Sequence, residues 1–171
     1  RACSPNIEIP IIPPLCPMPL PGSNPRVPVL KYPLRHAVQV QIRFSDIDLM
    51  GHVNNNAYMS YLDIGKTRYM IDVTPGGADV RNDNVVIVNV NVDFVGPTYL
   101  YDHIEVRTAV TAISEHSLVM EQRIVCPETG DVRCIARTVL VGFDKATAPT
   151  RPLSPEWIEA IERYDGRRAR R

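Results

Sequence analysis

From residue 36 onward the hydrophobic period of the chain changes, and each change marks an element. Over residues 36–44 apolar and polar positions alternate: Val38, Val40, Ile42 and Phe44 fall on one side, Gln39, Gln41 and Arg43 on the other. Period two predicts a half-buried strand. The period then lengthens. Tyr58, Tyr61, Leu62, Gly65, Tyr69 and Met70 recur at three- and four-residue steps, the stripe of an amphipathic helix. Asn54, Asn55 and Asn56 ahead of the stripe are helix-cap residue types, and Thr74-Pro75-Gly76-Gly77 ends it. Lys66 and Arg68 fall on its solvent side. Alternation returns in 85–94, 103–113, 118–126 and 132–143, separated by Gly96-Pro97, Ser114-Glu115-His116 and a turn over 127–131. A short helix follows over 154–164: Ser154 caps it, Pro155 sits in its first turn, and Trp157, Ile158 and Ile161 form its apolar stripe.

The order is strand, one long helix, then four strands joined by short links. Short links imply antiparallel pairing. One helix with one apolar stripe must bury it on the sheet. The expected class is α+β: an antiparallel five-stranded sheet wrapped around one long helix, with a short C-terminal helix. Residues 1–33 hold ten of the sixteen prolines, which disfavour helix, and read as a proline-rich extended arm. Ile7, Ile9, Ile11, Ile12, Leu15, Met18 and Leu20 make that arm more than a polar linker. Residues 34–165 form the domain, and 166–171 a frayed basic tail.

Composition narrows the function classes. Lys and Arg number 19 and Asp and Glu 19, so the chain has no net charge with which to attract nucleic acid or an anionic lipid surface. No apolar run is long enough to span a bilayer. The arm lacks the basic start and continuous apolar centre of a secretory signal; Arg1 in place of methionine leaves a trimmed start open. Cys3, Cys16, Cys126 and Cys134 lack zinc-site spacing. The last two flank a turn and read as reduced thiols of a cytoplasmic protein rather than as a disulfide.

Polar, chemically competent residues crowd into residues 43–61. A carboxylate at a strand end can activate or deliver a nucleophile. The free N–H groups of a helix N-terminus can stabilise an oxyanion. Asp48 lies a few residues ahead of such a terminus. On residue type alone Asp48 reads first as a turn or capping acid. No serine here sits in a nucleophile elbow, so His52 with Ser45 or Ser60 does not make a triad. Asp46, Asp48 and His52 need no metal to explain them, and none is expected.

Phe44, Asp46, Asp48, Gly51, His52, Val53, Asn54, Asn55, Tyr58 and Tyr61 together resemble the turn of the hotdog-fold acyl-CoA thioesterases of the 4-hydroxybenzoyl-CoA type. Asp63 and Lys66 match the helix positions that follow. Asp93-Phe94-Val95-Gly96-Pro97 and Asp102 resemble the family's aromatic-x-x-Pro turn and its Gly-Asp start of the next strand. The likeness runs over residues 36–143. Tyr101 stands where Gly is usual, and Gly65 where Ala is common, at a helix cost of about 1 kcal/mol. Gly65 can mark close packing on the sheet.

The resemblance implies hydrolysis of an acyl-CoA thioester without a cofactor. In it Asp48 is the catalytic carboxylate, as nucleophile or as general base, and the Asn55 N–H polarises the carbonyl. Asp46, His52 and Asn54 support the turn: Asp46 by bonding turn amides or holding His52, His52 by hydrogen bonds, Asn54 as a cap. Tyr58 is a core residue or lines the acyl pocket. A homodimer or homotetramer with shared active sites is implied too, with Asn89, Asn91 and Asp93 either a solvated face or one that meets a second subunit. The competing readings are an acyl carrier protein thioesterase, a non-catalytic acyl-thioester binding module and, more remotely, a dehydratase, whose helix histidine is missing after Ala57.

Overall fold

The alternating segments become five strands, β1 (His36–Val40), β2 (Val85–Phe94), β3 (Ile104–Ile113), β4 (Ser117–Val125) and β5 (Val132–Gly142), and the two apolar stripes become α1 (Asn55–Val73) and α2 (Pro155–Asp165). This computed structural model describes residues 27–74, 85–144 and 150–170. The strands form one sheet in the order β1-β3-β4-β5-β2, every neighbour antiparallel. β3, β4 and β5 are successive hairpins. β1 and β2 are the two edges, because the chain leaves β1 through α1 and returns on the far side. The helix lies on one face of the sheet and runs along the strands, over β1, β3 and β4.

Apolar residues on that face and on α1 fix this placement. Tyr58, Tyr61 and Leu62 pack on Ile104, Val106, Ile124, Cys134 and Ala136 under the first half of the helix. Tyr69 and Val73 pack on Val110, Leu118, Met120 and Leu140 under the second half, where Trp157 and Ile161 of α2 join them. Each fully buried Leu- or Ile-sized side chain is worth about 1.5–3 kcal/mol, so both ends of the helix are held. Between the clusters sits Gly65. A Cβ there would lie 2.9 Å from Val106 Cβ and 3.1 Å from Gln122 Nε2. Gln122 is itself buried and donates to the Leu62 carbonyl at 2.9 Å. The glycine allows the helix backbone to approach the sheet this closely.

The structure differs from the sequence pattern at both ends of the domain. The first strand ends at Val40, paired with Ile104, because β3 has no earlier residue to offer: Asp102 has already turned back onto the Tyr99 amide. Ile42 remains buried, but Phe44 enters a short 3-10 turn (Phe44–Asp46) and is 84% exposed rather than on the core side. Residues 166–170 of the basic tail are packed, not frayed. Gly166, at φ 68°, ends α2, after which the Ala169 carbonyl accepts from Ile113 N–H at 2.8 Å and Arg170 bridges to Ile113 in parallel. At the other end Pro28 O accepts from Arg123 and the Tyr32 hydroxyl donates to Glu121, tying residues 28–32 to β4. Cys126 and Cys134 are buried free thiols. Cys3, Cys16 and residues 1–26 of the arm lie outside the described residues, as does Pro75-Gly76-Gly77 after the helix.

Candidate active site

The turn ahead of α1 is built from its own polar side chains. Asp48 Oδ1 accepts the Met50 N–H at 2.8 Å and the His52 N–H at 3.2 Å. Its backbone N–H reaches His52 O at 2.8 Å, and its carbonyl accepts from Gly51 N–H at 3.0 Å. Gly51 has φ 78°, which a side chain would strain although the space beside it is open. An antiparallel bridge between Ile47 and Val53 closes the base of the turn. These bonds occupy one oxygen of Asp48. Among the described residues its Oδ2 accepts no hydrogen bond.

The helix begins where this turn ends. Asn54 is the N-cap: its side chain accepts from Asn56 N–H at 2.9 Å, and its carbonyl accepts from Ala57 N–H at 2.9 Å. Asn55 is the first helical residue, so its N–H has no partner within the helix. Among the described residues nothing else accepts it. Cap and turn thus leave a half-buried carboxylate with a free oxygen and a helix-terminal amide with a free hydrogen.

Asp46 joins the two parts. Its Oδ2 accepts the Arg43 N–H at 2.8 Å and the Tyr61 hydroxyl at 2.6 Å, while its carbonyl accepts the Asn54 N–H at 2.7 Å. Burial acts to raise the Asp46 pKa, but the hydrogen bonds from Tyr61 and the Arg43 amide, with the Arg43 charge, outweigh it and hold the carboxyl below its ordinary range. Burial, reinforced by Asp46, pushes the Tyr61 hydroxyl well above the usual phenol value.

Asp46 therefore bonds a turn amide, and it does not bond His52. His52 orders the turn through its backbone, and its ring packs edge-on against Tyr99 at 5.2 Å. Tyr58 is buried in the core; its hydroxyl donates to Thr98 Oγ1 at 2.7 Å and its ring meets Phe94 edge-on. Thr98 also accepts the Val53 N–H on its carbonyl at 2.8 Å. The sequence pattern gives no sign of Thr98 and Tyr99 beyond their place directly after Pro97. Leu49 and Met50 at the tip of the turn are fully and largely exposed, so the apolar surface around Asp48 is uncovered in the single chain. A cleft of about 430 Å³ lies nearby, between residues 39–42 and 100–104, but Asp48 does not line it. Among the described residues no three His, Cys, Asp or Glu side chains are grouped to hold a metal ion.

Similarity to known proteins follows the same stretch. The long-chain acyl-CoA thioesterase FadM of Escherichia coli (strain K12) is 24% identical over 125 residues, covering 72% of this chain and 95% of that protein. The crystal structure of a thioesterase from Thermus thermophilus, complexed with coenzyme A and Zn, has a TM-score of 0.68 at 29% identity and covers 77% of this chain and 94% of its own. A 1,4-dihydroxy-2-naphthoyl-CoA thioesterase from Synechocystis shares the fold, with a TM-score of 0.66 at 20% identity, covering 74% of this chain and 94% of its own. The antiparallel sheet around one helix is the hotdog fold. With the model of the thioesterase-like superfamily matching residues 42–161, the chain belongs to that superfamily.

Proposed function

We propose that the protein hydrolyses an acyl-CoA thioester to a free acid and coenzyme A, with Asp48 as the reacting carboxylate and the Asn55 N–H as the oxyanion donor. The observation that carries this reading is the pairing of a free carboxylate oxygen on Asp48 with an unpartnered N–H at the first residue of α1. The donor stabilises negative charge on the carbonyl oxygen as it develops, a contribution of about 2.7–4 kcal/mol for one such group.

Two routes use the same atoms. As general base, Asp48 takes a proton from water while the water oxygen attacks the carbonyl carbon. The tetrahedral oxyanion rests on Asn55 N–H, and its collapse breaks the C–S bond and expels the thiolate. As nucleophile, Asp48 attacks directly, the thiolate leaves from the tetrahedral adduct of Asp48 itself, and water then hydrolyses the mixed anhydride. Asp46, His52 and Asn54 hold the turn in both routes, and Tyr58 forms the buried floor beneath the acyl group.

The reading extends to assembly. β2 is an edge strand of ten residues that pairs with β5 on one side, and Val86, Ile87, Val88 and Phe94 are exposed along it. A long apolar edge invites a second strand. A homodimer joined along β2, alone or within a homotetramer, covers it and closes the acyl pocket beside Asp48. Residues 27–33 act as an arm on the 34–165 domain, and the cytoplasm is the compartment. No described helix is long and apolar enough to cross a membrane.

Thiol release from short-chain, long-chain and aromatic acyl-CoAs tests the activity, with Asp48→Ala beside the parent. The expected loss is at least about 100-fold, the scale of an essential acid–base group. Rapid quench of a single turnover then separates the routes: an acyl group trapped covalently on Asp48 marks the nucleophilic one, and ¹⁸O from water in the Asp48 carboxylate marks an anhydride opened at the aspartyl carbon. A folded parent inert toward every acyl-CoA overturns the acyl-CoA reading and directs the assay to acyl carrier protein thioesters, then to binding alone.

A further inference from the structure

The hydrogen bonds of Asp48 all run to Met50, Gly51 and His52, inside its own turn. None of them reaches the helix. The Ile47–Val53 bridge closes the turn, and beyond it the bonds that tie the turn to the helix converge on Asp46. Through Arg43 N–H it holds the chain entering the turn, through Asn54 N–H the helix cap, and through the Tyr61 hydroxyl the body of α1. Tyr61 is a rigid anchor: the residue is 4% exposed and its ring is packed in the core cluster under the first half of the helix. Only Ile47 separates Asp46 from Asp48.

We propose that Tyr61 is a positioning residue of the site, acting through Asp46 to set the reacting carboxylate against the Asn55 amide. This rests on the hydrolytic reading above. The Tyr61 hydroxyl donates and does not titrate near neutrality, so its role is geometric and needs no proton transfer. Displacement of a reacting group by about 1 Å can cost 100-fold in rate. The clamp also gives the carboxylate of Asp46 a role without chemistry: an oxygen at that position is required, a charge is not.

The test uses the full chain and compares Tyr61→Phe, Asp46→Ala and Asp46→Asn with the parent. Tyr61→Phe keeps the buried ring, and water can replace the lost hydroxyl at the partly exposed Asp46, so the fold survives. The expected result is a kcat lowered by about 10- to 100-fold with KM within about threefold, since orientation and not binding is lost. Asp46→Ala falls as far. Asp46→Asn recovers most of the rate, because its amide oxygen still accepts from Tyr61. Amide hydrogen exchange at Met50 and His52 gives a second readout independent of turnover, and it accelerates in Tyr61→Phe. Parent kcat and parent exchange rates in Tyr61→Phe overturn the proposal. So does an Asp46→Asn as inactive as Asp46→Ala, which would make the Asp46 charge part of the chemistry. A parent that turns over no thioester overturns the hydrolytic reading instead, and the exchange rates then still decide whether the clamp exists.

Discussion

His36 is a buried imidazole between Tyr69 and Tyr164, with Nε2 3.3 Å from Asp72 Oδ2 and Nδ1 without a partner among the described residues. Burial lowers its pKa. Asp72 and Asp165 pull in the opposite direction, and Arg68 adds to the lowering. The sign of the pH effect follows. As pH falls below about 6.5 the unfolded chain takes up the proton before the folded one, so stability drops with pH. The thermal midpoint of the parent should fall between about pH 7.5 and 5.5 more steeply than that of His36→Phe, which keeps the ring contacts and removes the proton site. Parallel curves would show that His36 is not the group involved. None of this is legible in the sequence, where His36 is only the first letter of a strand. By contrast Asp48 and Asn54 are legible, because a turn acid and a helix cap bond to residues within four positions of themselves. Asp46 is half legible. Its bond to the Arg43 amide is local, but its bond to Tyr61 spans 15 residues, and Thr98 reaches Tyr58 across 40. Periodicity carries no information about such partners.

At the scale of elements, the long strands and both helices follow from hydrophobic period alone, even β2, none of whose residues is buried. Boundaries escape where they depend on a neighbour, as when β1 stops for want of a partner beyond Ile104. The packed tail escapes because arginine-rich composition says nothing about a backbone that reaches Ile113. Gly65 is the informative exception: a residue that weakens the helix is where the helix touches the sheet. Gly65→Ala gains about 1 kcal/mol of helix propensity. Its new methyl, however, meets Val106 and Gln122, and overpacking a close contact costs about 1–3 kcal/mol. The expected outcome is a lower thermal midpoint despite the better helix former. Removing the obstruction with Val106→Ala in the same chain should make the glycine replacement nearly neutral relative to Val106→Ala alone. A Gly65→Ala protein more stable than the parent would mean that α1 can lift off the sheet without penalty.

For the whole molecule the decisive surface is the β2 edge. Its apolar exposure and the uncovered Leu49 and Met50 beside Asp48 have the same physical meaning: surface that water does not favour, and at the turn it flanks the carboxylate proposed to react. The proposed dimer along β2 is expected to cover both. Val88, at the bulge between Ile87 and Asn89, is 58% exposed, the most of any apolar residue on the strand. A lysine there should not unfold the protomer, since β2 keeps its pairing to β5. It places like charges across a two-fold edge contact, which natural sheets use to block pairing. Val88→Lys should therefore shift the protein from dimer to monomer in light scattering at micromolar concentration. Thiol release should fall in step with the dimer fraction and recover as concentration is raised. That concentration dependence separates a shared site from a self-contained one. If the monomer hydrolyses acyl-CoA at the parent's rate per chain, the acyl pocket is complete in one chain and the edge pairing has no part in catalysis. If activity follows assembly, the bare turn around Asp48 is half a site, and the sheet edge is the element that completes it.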